Sequence, residues 1–274
     1  MNAPKIAVVV HCFYADLMEA LIASLKHIPF EFDLYVSISA ETNETVRSLL
    51  SRSFPDKKIV LRTVPNRGFD IAPFVCEFRE VYVAYDLVLK VHTKKSSHTP
   101  WLKAWGSYLL ENVSGSPEIV ASILRMFSED TRLGLVYPEI IPPLRSELTK
   151  DPWQENWGIC RELAARLDIP LQKKMALDFL AGSIYWFRPE ALEALFKLGL
   201  TSGDFPEGSR IRRNGTLAHA VERLMVLIAQ KSGFSSRTVC FEPYKTVRDM
   251  SFLGRLRNRV CCEWQRLMDR LGRT

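Results

Sequence analysis

Apolar residues along the chain follow two rhythms. Continuous, β-branched runs recur at "KIAVVVHCFY", "FDLYVSIS", "KKIVLRTV" and "DLVLKVHT", and each predicts a strand buried on both faces. Between them "ADLMEALIASLKHI", "NETVRSLLSRSF" and "IAPFVCEFREVYVAY" carry apolar residues at helical spacing. The first of these ends before Pro29 and the second is closed by Pro55. Strand and helix alternating in this way predict an α/β fold, a Rossmann-type, mostly parallel sheet flanked by helices.

Beyond the fourth strand, "TPWLKAWGSYLLENV" and "SPEIVASILRMFSED" predict helices, the second capped by Ser116 with Pro117 in its first turn. "RLGLVYP" reads as a fifth strand, and the Pro-rich stretch from Pro138 to Asp151 as a long surface loop near a site. "NWGICRELAARLDI" is helical, "DFLAGSIYWFRP" strand-like, and "PEALEALFKLG" and "GTLAHAVERLMVLIAQK" helical again. With no repeat or linker in sight, residues 1–245 are expected to form one domain. Residues 246–274 place Phe252, Leu253, Leu256, Val260, Trp264 and Leu271 at helical spacing among many Arg. They predict a basic amphipathic C-terminal helix, which either packs on a protein domain or lies on an anionic membrane face.

Composition adds a sign to this picture. The chain has 274 residues, 47% of them hydrophobic, enough for a substantial core in a soluble globular protein. The formal charge of +6 points to an anionic partner: nucleotide phosphates, nucleic acid or an acidic membrane face. Nucleic acid is not expected, because the basic residues fall in no recognisable nucleic-acid module. The six cysteines show neither a CxxC pair nor zinc spacing, which favours buried thiols in a reducing cytoplasm. No signal segment and no membrane-length apolar window is visible in the sequence, so a cytoplasmic location is expected.

The chemistry gathers where strands end. "LVLKVHTKKSSH" follows the fourth strand, and alternation sends Lys90, His92 and Lys94 to one face, with Lys95 and His98 beyond. This cluster suits a diphosphate or is a solvated turn. In "VPNRGFDIAPF", Asn66 and Gly68 suit a tight turn, and Asp70 stands at a helix start as a cap, as a ligand contact with Arg67, or as both. In "DFLAGSIYWFRPEAL", Gly182 permits close backbone approach, Trp186 is either core or a sugar platform, and Arg188 precedes Pro189. "FPEGSRIRRNGTLAHAVERL" places Glu207 in a loop and puts His219 and Glu222 on one helix face, where a carboxylate is either a general base or half of an ion pair.

Taken in order, "NRGFDIAPF", "LKVHTKKS", "FLAGSIYWFRPEAL" and "NGTLAHAVERL" resemble the rhamnan synthesis protein F family, as does the N-terminal "VVVHCFYADLMEALIASLKHIPFEFDLYVSIS". The resemblance spans about residues 5–230. It implies a GT-A-like glycosyltransferase of bacterial polysaccharide or O-antigen assembly, with rhamnose the favoured sugar. The donor would be a dTDP-, GDP- or UDP-linked sugar and the acceptor a lipid-linked glycan, met by peripheral contact of the C-terminal helix with the inner face of the cytoplasmic membrane. It implies donor or diphosphate binding by His11, Tyr14, Asn66, Arg67, Gly68, Asp70, Lys90, His92, Lys94 and Lys95, and sugar binding by Gly182, Trp186 and Arg188. The family pattern has Asp where this chain has Asn214, which leaves Glu222, then Glu207, then His219 as catalytic candidates. A GT-A strand usually ends in a DxD motif holding a divalent metal, whereas this one ends in "KVHTKK". Neither a metal nor another cofactor is therefore expected. The alternative is a non-catalytic glycan-binding or scaffold module of a larger assembly enzyme.

Overall fold

The computed structural model describes residues 3–94, 105–140, 151–208, 214–241 and 247–250. Lys95, His98, most of the Pro138 to Asp151 loop and the tail from Ser251 lie outside the described residues, as does the start of the helix expected from Thr99. An eight-stranded sheet runs in the order β3-β2-β1-β4-β6-β5-β7-β8. Strands β1 (Ile6–Cys12), β2 (Phe32–Ile38), β3 (Ile59–Thr63) and β4 (Leu87–His92) are mutually parallel. β6 (Tyr185–Phe187) joins antiparallel between β4 and β5 (Leu133–Pro138), β7 (Ser235–Phe241) lies parallel to β5, and β8 (Val247–Met250) pairs antiparallel with β7.

The helices cover both faces, as the alternating pattern requires. On one face, Met18, Leu21, Val46, Leu50, Leu109, Val113, Ile119 and Phe127 from α1 (Met18–Leu25), α2 (Asn43–Ser53), α5 (Trp105–Ser114) and α6 (Pro117–Glu129) bury Val8, Val10, Leu89, Val91 and Trp186. On the other, α3 (Ile71–Cys76), α4 (Arg79–Tyr82), α7 (Trp157–Arg166), α8 (Glu193–Lys197) and α9 (Leu217–Lys231) close over Ala7, Val9, Val88, Tyr185 and Phe187. Period-two alternation therefore puts His11, Lys90 and His92 on this second face, beneath the start of α3 and of α9. Ser116 caps α6 by accepting from the Ile119 N–H, with Pro117 in the first turn.

Several elements differ from the sequence pattern. The segment expected as one helix after Ile71 is broken into α3 and α4. The strand expected from Asp178 shrinks to Tyr185–Phe187, because Gly182 (φ 89°) and Ser183 (φ 56°) are left-handed and cannot extend a ladder. Val247–Met250 is strand rather than helix, so the expected boundary at residue 246 falls inside the sheet. β7 was hidden in the polar alternation of "SSRTVCF".

Candidate active site

Asp70 and Lys90 form the centre of a polar cluster at the carboxyl edge of the parallel strands, where open α/β sheets bind ligands. Asp70 occupies the position preceding α3, yet its side chain makes no capping bond. It turns inward instead, and its Oδ2 accepts a hydrogen bond from Lys90 Nζ. Lys90 also donates to the Ser183 carbonyl and to Ser183 Oγ, each at 2.8 Å. An ammonium has three N–H donors, so all are taken by the protein. Lys90, expected at the diphosphate, binds the start of α3 and the 182–183 turn together. Phe74 and Tyr185 lie 5.4 and 5.6 Å from its Nζ. Burial lowers the Lys90 pKa while Asp70 raises it. Burial likewise opposes the charge on Asp70, but His92, Lys90 and Lys94 outweigh it and hold the carboxyl well below the usual carboxylate range.

Two histidines extend the cluster. His11 and His92 are register partners across β1 and β4, so their rings leave the sheet side by side. His11 Nδ1 lies 3.0 Å from Ser37 Oγ, and burial brings its pKa down to about 4. His92 Nδ1 is 3.5 Å from Asp70 Oδ2, and burial brings its pKa down to about 3. Both imidazoles are therefore neutral near pH 7. Lys94 follows, its Nζ 4.7 Å above the Trp105 ring. Thr93 Oγ1 accepts the N–H groups of Phe13 and Tyr14 at 3.0 and 2.9 Å, which ties the turn after β1 to the end of β4 and places Tyr14 at this edge.

Helix α9 supplies the remaining groups. Glu222 is partly buried, and its Oε1 accepts the Gly182 N–H at 2.9 Å. Burial raises its pKa, with the Asp70 charge acting in the same direction and Arg223, Lys94 and the Gly182 hydrogen bond acting against it. The raised pKa makes this carboxyl a better proton acceptor than an exposed one. His219, one turn earlier, lies 2.7 Å from Thr216 Oγ1 through its Nδ1, and burial lowers its pKa to about 4. Arg223 does not neutralise Glu222 at short range: it turns to the Pro152 carbonyl and the Gln154 side chain, at 3.1 and 3.0 Å. Asn214 sits in the turn leading into α9, and the next residue, Gly215, donates its N–H to Asn156 Oδ1 at 2.7 Å.

Other sequence candidates fall elsewhere. Arg67 donates to the Phe205 carbonyl at 3.1 Å and to Glu207 Oε1, Asn66 packs on Gly208, and Gly68 (φ 59°) leaves no room for a Cβ between Ala72 and Phe205. These residues clasp the loop after β3 to the 205–208 segment. The Glu207 side chain, the second catalytic candidate of the sequence, is 54% exposed and engaged by Arg67, outside the cluster. Trp186 is a correction. It points to the opposite face of the sheet from Lys90, is fully buried, and donates to the Val113 carbonyl at 3.0 Å. Arg188 donates to the Leu133 and Phe127 carbonyls at 3.0 and 2.6 Å, and so fastens α6 to β5 rather than meeting a sugar. Ser183, Thr93, Ser37 and Phe69 are site residues that the sequence pattern did not single out. The signal for Ser183 was its place after "AG", where a turn brings its backbone against Lys90.

Among the described residues, no three His, Cys, Asp or Glu side chains cluster as metal ligands, and no helix is long and apolar enough to cross a membrane. Two solved structures are similar to this chain at low identity and with TM-scores below 0.5. One is the mannosyltransferase PcManGT from Pyrobaculum calidifontis in complex with GDP-Man and Mn2+, with a TM-score of 0.48 and 14% identity over 86% of this chain and 54% of that one. The other is the apo form of mouse xyloside xylosyltransferase 1, with a TM-score of 0.42 and 11% identity over 85% and 84%. Two curated relatives, each named uncharacterized protein WxcX, come from two strains of Xanthomonas campestris pv. campestris and are 29% identical over 240 residues. The alignment covers 86% of this chain and 33% of theirs, so the chain spans about a third of their length. The family model of rhamnan synthesis protein F matches residues 1–234, and the chain belongs to that family.

Proposed function

We propose that the chain is a glycosyltransferase domain, GT-A-like in layout, that moves a sugar from a nucleotide-sugar donor onto a growing bacterial cell-surface polysaccharide of rhamnan or O-antigen type. Rhamnose carried on dTDP, GDP or UDP is the favoured donor. The observation that carries this reading is the Glu222 carboxyl, raised in pKa by burial and set beside the Asp70 and Lys90 pair at the ligand edge of the sheet, in a chain of this family.

In the proposed reaction Glu222 takes the proton of the acceptor hydroxyl as that oxygen attacks the anomeric carbon. The bond from the anomeric carbon to the diphosphate breaks, and its electron pair leaves with the nucleoside diphosphate. Lys94, with Lys95 next in sequence, neutralises that charge, and the neutral His92 and His11 rings supply uncharged hydrogen-bonding groups. Asp70 stays ionised, and its Oδ1 can accept a bond from a sugar hydroxyl while Lys90 holds Oδ2. His219 buttresses the Glu222 face of α9.

A DxD-type divalent cation does not fit the residues at the end of β4. The positions hold Lys90 and His92, and the nearest carboxylate, Asp70, is bound by a buried ammonium. Metal-independent transfer is the corresponding proposal. The basic tail would hold the domain at the inner face of the cytoplasmic membrane, where a lipid-linked acceptor is available.

The test is a thermal-shift panel of dTDP-, GDP- and UDP-sugars with and without EDTA, followed by a transfer assay on the donors that bind. The proposal expects one nucleotide class to raise Tm equally in EDTA and to be turned over. If no nucleotide sugar bound or reacted, the chain would be a glycan-binding or scaffold module.

A further inference from the structure

Three large apolar side chains are exposed among the described residues: Phe13, Phe69 and Val83. Phe69 alone combines exposure with backbone strain at the cluster. It is 39% exposed and held at φ 55°, a left-handed conformation that a bulky non-Gly residue seldom adopts. The strain is imposed from both sides. Gly68 is wedged between Ala72 and Phe205, and Asp70 is drawn inward to Lys90, so the ring between them is turned outward.

The outward ring meets a side chain of α9. His219 meets it edge to face, with centroids 5.4 Å apart. His219 and Glu222 are three residues apart on α9 and share a face. The Phe69 ring, 39% exposed, thus lies against the helix face that carries the carboxyl proposed to deprotonate the acceptor. Backbone strain at a site is kept when the surrounding structure over-determines it, and the side chain it presents is then the feature to explain. An exposed aromatic face suits the apolar C–H face of a pyranose ring, while neighbouring carboxylates take the hydroxyls.

We propose that Phe69 is the platform for the acceptor sugar, stacking on the pyranose whose hydroxyl faces Glu222, with His219 fixing the tilt of the ring. This rests on the glycosyltransferase reading for the reaction, but not for the binding itself.

The test compares the wild-type chain with Phe69→Gly and Phe69→Tyr, using a rhamnose oligosaccharide as probe. Glycine is at ease at φ 55°, so Phe69→Gly is expected to fold with Tm held within about 3 °C. It should raise acceptor KM and the Kd for the oligosaccharide roughly three- to tenfold. Phe69→Tyr should restore the acceptor values. An oligosaccharide Kd unmoved by Phe69→Gly, or no oligosaccharide binding by the wild-type chain, would overturn the inference. Binding that depends on Phe69 without any transfer would uphold the platform and remove the glycosyltransferase reading instead.

Discussion

Lys90 and Asp70, 20 residues apart in sequence, form an ion pair whose side chains are 2% and 13% exposed, and the pair joins the middle of the sheet to the start of α3. A buried pair of this kind is a weak source of net stability, but breaking it leaves an uncompensated buried charge. Asp70→Asn is therefore expected to lower stability by roughly 3–5 kcal/mol in urea denaturation. Lys90→Met in the same background should recover part of that loss. Additive losses in the double variant would show that the two side chains are not coupled.

Stability should also fall as the solution is acidified, in a window set by the histidines. His92, His11 and His219 have folded pKa values near 3, 4 and 4, below the 6.5 of an exposed imidazole. Between those values the unfolded chain binds protons that the folded chain does not, so stability is lost as pH drops from about 6.5 to about 4. Asp70, whose folded pKa is depressed, extends the loss to still lower pH as the unfolded carboxyl protonates. Tm measured from pH 7 to 4 should decline progressively, and His92→Gln should flatten the decline. A wild-type Tm independent of pH over this range would show that these rings are not buried neutral.

Gly182 is required twice. Its φ of 89° is unsuited to an L side chain, and an added Cβ would lie 2.3 Å from Leu109 Cδ1. Its N–H also holds Glu222. Gly182→Ala should cost about 1–3 kcal/mol and lower kcat together with stability. A variant of unchanged Tm and kcat would remove Gly182 from the site.

The periodicity of the chain made the first four strands and their crossovers legible, because runs such as "IAVVVHC" and "LVLKVH" are buried on both faces and need no tertiary information. Alternation also placed Lys90 and His92 on one face. The same rule, carried from Lys90 through its register partner Tyr185, would have sent Trp186 to the opposite core. The inward turn of Asp70 was not legible, because an Asp before a helix caps it by local preference, and only the buried ammonium of Lys90 outcompetes that bond. Nor was the clasp between Arg67 and Glu207, 140 residues apart, since long-range pairing leaves no local signature.

The proposed metal-independent transfer is tested by removing divalent ions. Transfer measured in EDTA should proceed at the rate seen with added Mg2+ or Mn2+, and Lys94→Ala should lower it by about tenfold or more through loss of diphosphate neutralisation. Activity abolished by EDTA and restored by either ion would contradict the proposed role of the basic cluster.

The proposed role of Glu222 as proton acceptor is tested most directly by single-turnover transfer with the Glu222→Gln variant at saturating donor and acceptor. Gln keeps the shape and can still accept the Gly182 N–H, so nucleotide binding and Tm should hold while the rate falls by about 10²- to 10⁴-fold. The wild-type rate should also fall on acidification at a pH above the ordinary carboxylate range, as the burial-raised pKa of Glu222 requires, and the variant should lack that limb. Wild-type turnover in Glu222→Gln would contradict the account.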